Sequence, residues 1–167
     1  MKKIIAAAFL VFLTACSGNG VVEQLKEDYP EVKKVAEQLP ETVQERLAAP
    51  EELPFEPKNV ELMYAGDLPG DPKGDIVHTE FVYGDGEATV LHVTTFQNKN
   101  SSFSGDGAFK TTKLKDGTEV VIETDTPNAK SIRWKKDDLY YGISVVTDSE
   151  KEITIKDLVK AANSMEY

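Results

Sequence analysis

Leu139-Tyr140-Tyr141-Gly142-Ile143-Ser144-Val145-Val146-Thr147 alternates along its length. Leu139, Tyr141, Ile143 and Val145 share one parity, while Tyr140, Gly142 and Ser144 take the other. Successive residues of a strand point to opposite faces, so the first set forms one apolar face and the second a face of small and polar groups. One-sided burial of this kind belongs to antiparallel sheet, because a parallel strand is covered on both faces and reads as a continuous apolar run. Just upstream, Lys136-Asp137-Asp138 separates this strand from another candidate at 129–135. A gap that short allows a hairpin and forbids a parallel crossover.

Working outward, further strand candidates lie at 60–65, 75–83, 87–97, 109–114 and 118–123. Turn signals such as Gly84-Asp85-Gly86 and Asp116-Gly117 fall between them, which favours an antiparallel meander of six or seven strands. The chain then closes on a helix. Thr154 is a good N-cap, Asp157 follows at the capping-box position, and Ile155, Leu158, Val159, Ala162 and Met165 make one apolar stripe. Ahead of the strands, Val21, Val22, Leu25, Tyr29, Val32, Val35, Ala36 and Leu39 recur at steps of three and four, an amphipathic helical pattern. Pro30 interrupts it and Pro40 ends it, so two short helices or one kinked helix are expected, with a third short piece around 41–48. The fold class expected is α+β: a curved antiparallel sheet with the C-terminal helix on one face and an N-terminal helical segment. Pro50, Pro54 and Pro57 mark the boundary between helical segment and sheet, giving a division into residues 21–49 and 50–167.

Residues 1–15 read as an export signal: Met1-Lys2-Lys3, then an apolar run from Ile4 to Phe12 too short for a permanent span, then small residues. Leu13-Thr14-Ala15-Cys16 has the form of a lipobox, in which a thiolate takes up a diacylglyceryl group before the leader is cut away. Two acyl chains anchor stably without spanning. Residues 16–20 then make the lipidated cysteine and a short tether of small polar residues. Cys16 is the only cysteine, so no intramolecular disulfide or cysteine-based zinc site can form.

Composition restricts the partners. Forty per cent hydrophobic and 29% charged residues describe a folding chain. The formal charge of -10 becomes -12 once Lys2 and Lys3 leave with the leader, and no run of Lys or Arg exceeds two residues. Nucleic-acid binding needs a basic stripe and is set aside. The same acidity repels anionic lipid head groups, leaving membrane attachment to the lipid on Cys16.

Leu53-Pro54-Phe55-Glu56-Pro57, then Ile132-Arg133-Trp134 before Tyr140-Tyr141-Gly142, then the closing stretch from Ile155 to Met165 together resemble a domain of unknown function. That domain occurs in envelope lipoproteins and in sigma-factor-associated and sporulation-associated membrane proteins of Gram-positive bacteria. The resemblance covers about two thirds of the chain and rests on packing and capping patterns. It implies a lipid-anchored protein on the outer side of a Gram-positive cell membrane. At the level of architecture it is similar to lipoprotein carriers and envelope-stress sensors, whose curved sheet holds a helix or a lipid.

Several groups could carry chemistry. His78 and His92, the only histidines, fall on one predicted hairpin with Glu80. If residues 84–86 form a three-residue loop, His78 faces His92 and Glu80 joins them on one side as a two-His, one-carboxylate metal site. If Asp85-Gly86 alone form the loop, as that dipeptide favours, the histidines take opposite faces. Asp67, Asp71 and Asp75 recur in a segment broken by prolines and glycines and lack the calcium-loop arrangement, so a solvated acidic loop is expected. Residues 101–107, Ser-Ser-Phe-Ser-Gly-Asp-Gly, fit neither a nucleophile elbow nor a phosphate loop and read as a connection. Trp134, Tyr140 and Tyr141 read as cross-strand packing, with an aromatic ligand platform as the functional alternative.

The expectation is a non-catalytic extracytoplasmic binding or sensory module that needs no cofactor and binds another envelope protein or an extracellular ligand. The alternative is a carrier of a hydrophobic ligand between sheet and helices. Cys16→Ala abolishes metabolic labelling of the chain with palmitate; persistent labelling contradicts the lipid assignment.

Overall fold

The computed structural model describes residues 20–97, 109–149 and 152–167. The leader, the lipobox residues Leu13, Thr14, Ala15 and Cys16, and the 101–107 segment lie outside the described residues.

Three short helices come first: α1 (Gly20–Asp28), α2 (Pro30–Ala36) and α3 (Glu41–Gln44). Pro30 does not kink a continuous helix but begins a new one at its first position, where a missing N–H costs nothing. Tyr29, held extended before the proline, makes the break. The strands follow: β1 (Ala49–Pro50), β2 (Asn59–Gly66), β3 (Ile76–Gly84), β4 (Thr89–Phe96), β5 (Lys110–Lys113), β6 (Glu119–Asp125), β7 (Ala129–Lys136) and β8 (Leu139–Thr147). Helix α4 (Ile155–Asn163) and the two-residue β9 (Met165–Glu166) close the chain.

The fold is α+β, with an open seven-stranded antiparallel sheet in the order β2-β3-β4-β8-β7-β6-β5. The meander runs in two parts, β2 to β4 and β5 to β8, joined where β4 and β8 pair near the middle. The chain thus passes from β4 to the far edge before working back to the centre. Asp137 and Asp138, both at positive φ, form the two-residue turn between Lys136 and Leu139. Two positive φ values match the right-handed twist of the flanking strands. The register slips between Ala65 and Gly66, and again around Glu123 in β6, each a bulge that bends its strand.

One face of the sheet is sealed. Leu139, Tyr141, Ile143 and Val145 are all buried, joined on that face by Phe81, Tyr83, Leu91, Val93, Ile132, Trp134 and Val120. Helix α4 lies against β7 and β8 with Leu158, Ala161 and Ala162 inward, and α2 lies against β2. At the start of α4 the Asp157 carboxylate accepts the Thr154 backbone N–H at 2.8 Å and the Thr154 hydroxyl at 2.7 Å. Trp134 stacks on Tyr141 with ring centroids 5.9 Å apart, and its indole N–H donates to the Tyr167 hydroxyl at 3.1 Å.

The N-terminal stripe is absorbed into this same core. Val22, Val32, Ala36, Leu39, Val43 and Leu47 are all buried and belong to one cluster with the sheet residues. The helical segment and the sheet region therefore share a core across the proline boundary. Leu47→Ala lowers unfolding stability by about 2–5 kcal/mol in denaturant titration, the range for truncating a buried leucine; a loss near zero contradicts a shared core.

Candidate functional site

The other face of the sheet is uncovered in the middle. Its parity set includes His78, Glu80 and Val82 on β3; Val90, His92, Thr94 and Phe96 on β4; Tyr140, Gly142 and Ser144 on β8; and Ser131 and Arg133 on β7. These side chains, apart from exposed Val90, are half-buried against one another rather than under a helix.

Gly142 lies at the centre, between Thr94 on β4 and Arg133 on β7. With no side chain there, a shallow recess of about 60 Å³ opens, walled by Thr94, Phe96, Glu123, Ser131, Arg133 and Ser144. A Cβ at Gly142 would meet the Ile132 carbonyl oxygen at 3.7 Å and the Phe96 ring at 3.9 Å, ordinary contact distances. The backbone tolerates a Cβ at this position, and a branched side chain built on it would occupy the recess.

On one flank the Arg133 guanidinium lies 4.9 Å from the centroid of the Phe96 ring and 3.3 Å from the Glu123 carboxylate. A planar cation stacked on a ring and bridged to an acid is held in one orientation. Glu123 reaches it from the bulge in β6. On the other flank the Thr94 hydroxyl donates to Glu80 Oε1 at 3.0 Å, and His92 Nδ1 lies 3.3 Å from Glu80 Oε2. Ser131 and Ser144 face each other across β7 and β8 beside the recess.

The histidines do not form the two-His, one-carboxylate site that a three-residue loop would have made. Val82 faces His92, and His78 faces Phe96, so neither proposed register holds. His78 and His92 do share the open face, but they are offset by four residues along the hairpin, about 13 Å at strand rise, too far for one ion. The cause is the loop. Asp85-Gly86 does not close a two-residue turn. Instead Asp85 Oδ1 accepts the backbone N–H groups of Glu87 at 2.8 Å and Thr89 at 3.0 Å, holding four residues, 85–88, between the strands. Gly86 takes the positive φ of 76° that this loop requires. Among the described residues, no group of three or more His, Cys, Asp or Glu side chains could hold a metal ion.

Asp67 and Asp71 are engaged in loop structure. Asp67 Oδ1 accepts the N–H groups of Leu68 at 2.9 Å and Asp75 at 3.1 Å, and Asp71 Oδ1 accepts that of Lys73 at 2.9 Å. Trp134 and Tyr141 are core residues of the sealed face, while Tyr140 is half-buried on the open face. Arg133 and Phe96 escaped the sequence reading as a pair because they are adjacent only through the β4–β8–β7 pairing. The glycine in an otherwise bulky strand was the available signal, since a strand glycine marks a bulge, a bend or a close approach.

No family model, no curated protein and no solved structure matches the chain. Among the described residues, no helix is long and apolar enough to cross a membrane.

The hydrogen bonds to Asp85 from Thr89 and Glu87 hold its carboxyl at about 2, below the usual carboxylate range. A depressed folded-state pKa contributes stability that is present above the unfolded value of about 4 and fades as pH falls towards the folded one. Asp85→Asn removes that part of the acid sensitivity: denaturation midpoints of the variant and the parent chain, measured from about pH 5 down to pH 2, converge at the acid end. Midpoints that stay equally far apart throughout contradict the loop assignment.

Proposed function

We propose that this chain is a lipid-anchored, non-catalytic binding module on the extracytoplasmic face of the cell membrane, and that it meets an envelope protein with the open face of its sheet. The observation that carries this reading is the asymmetry of the sheet: helices seal one face, and the other keeps a recess at Gly142 flanked by an oriented Arg133. Oriented planar cations beside aromatic rings are the groups on which protein interfaces concentrate their binding energy. The lipobox at Leu13-Thr14-Ala15-Cys16 and the resemblance to Gram-positive envelope lipoproteins supply the location. The N-terminal stripe spends its apolar residues on the domain's own core, which moves the recognition surface away from the helices.

A photoreactive residue at Ser131, on the open face, gives a discrete crosslinked adduct in living cells, and one at exposed Glu31 on α2 does not. Adding Gly142→Val fills the recess and removes the adduct while leaving the fold intact. Equal adducts from both positions, or an adduct unaffected by Gly142→Val, contradict the reading. Native mass spectrometry of the mature chain addresses the alternative role directly: a retained apolar adduct, lost on denaturation, makes the chain a carrier.

A further inference from the structure

The two ends of the described domain are fastened together. The Val21 backbone N–H, in the first turn of α1, donates to the Glu166 carboxylate at 2.9 Å, and β1 pairs with β9 immediately beside it. A Cβ on Gly20 would lie 3.6 Å from the same carboxylate. The start of α1 is therefore fixed to the C-terminal strand rather than hanging from the domain.

That corner belongs to one end of the sheet. Tyr167 packs edge-on against Tyr141 at 4.9 Å and lies under Lys136 at 4.2 Å, both next to the β7–β8 turn. The Lys115 N–H donates to Asn163 at 2.7 Å, which brings the β5–β6 turn to the end of α4, and Glu51 N–H donates to the Ser164 carbonyl at 3.0 Å. The 85–88 loop and the turn before β7 lie at the opposite end, where Asp148 N–H donates to Ala88 and Thr147 N–H to Asn128. Along β8, nine residues from Leu139 to Thr147, the two ends are about 27 Å apart.

From Cys16 to Gly20 the chain has four residues, which reach at most about 14 Å when fully extended. We infer that the end of the sheet formed by the β5–β6 turn, Glu51 and the Ser164–Tyr167 tail is the end of the domain held nearest the lipid head groups, with the 85–88 loop pointing away. The reach of the tether is about half the length of β8, too short to turn the far end to the bilayer. This rests on the lipid anchor at Cys16. It adds an orientation: the open face stands at the side of the anchored domain, free for a partner in the envelope.

The acylated full chain has no other cysteine, so a thiol introduced elsewhere is the only one to label. Lys115→Cys and Glu51→Cys near the tether, and Glu87→Cys and Asn128→Cys at the far end, are all exposed positions. Each is labelled with a fluorescent donor and reconstituted in phosphatidylcholine vesicles carrying an acceptor on the lipid head group. Energy transfer at Lys115→Cys and Glu51→Cys is expected to be several-fold higher than at Glu87→Cys and Asn128→Cys. Inserting about twenty Gly and Ser residues before Gly20 frees the domain and narrows that difference. Protein that floats with the vesicles but transfers equally from all four positions overturns the orientation and leaves the anchor standing. Protein that fails to float overturns both.

Discussion

A seven-stranded sheet with one apolar face must cover that face, and the manner of its covering shapes the rest of this molecule. The cover comes from both ends of the chain. The N-terminal third supplies Val22, Val32 and Ala36 from helices and Leu47 from the segment after α3, and the C-terminal helix supplies Leu158, Ala161 and Ala162, all in one buried cluster with the sheet residues. Because these helices are short, between four and nine residues, their own hydrogen bonds cannot sustain them in water. Sheet and helices depend on each other. The small fasteners at the margin, Glu166 on Val21 and Asp157 on Thr154, fix helix ends whose backbone donors would otherwise lack partners.

Covering one face leaves the other available. Its side chains pack among themselves, and the two polar flanks around Gly142 differ: a stacked, bridged arginine on one and a Glu80–Thr94–His92 group on the other. The chain ends are fastened at one corner, and under the proposed lipid anchor that fastening gives the domain a direction, with its side and not its base turned to a partner.

Much of the fold was legible because it follows local rules. Strict alternation gave β8 its inward face, paired aspartates gave the β7–β8 turn, and Thr154 with Asp157 gave the start of α4. Proline placement marked where the N-terminal helical pattern breaks, leaving a kink or a fresh start open until Tyr29 is seen extended. What stayed hidden depends on contacts distant in sequence or on competition between close alternatives. The pairing of β4 with β8 brings together strands about fifty residues apart, and no periodicity encodes it. The β3–β4 register was decided by one carboxylate capturing two backbone N–H groups, which overrode the tendency of Asp-Gly to form a tighter turn. The candidate site inherits both problems: Phe96 and Arg133 meet only across β8, and the histidines separate because the loop is longer than its dipeptide suggests.

The N-terminal helices and the sheet share one core and are expected to unfold as one cooperative unit. Trp134 is the only tryptophan and is fully buried, so its fluorescence reports the core, while far-UV ellipticity at 222 nm is weighted towards the helices. Equilibrium denaturant unfolding of the chain from residue 17 onward, followed by both signals, is the direct test. Coincident transitions with a single midpoint are expected. Loss of helical signal at lower denaturant, with Trp134 still buried, would show that the helices are an appendage and would contradict a shared core.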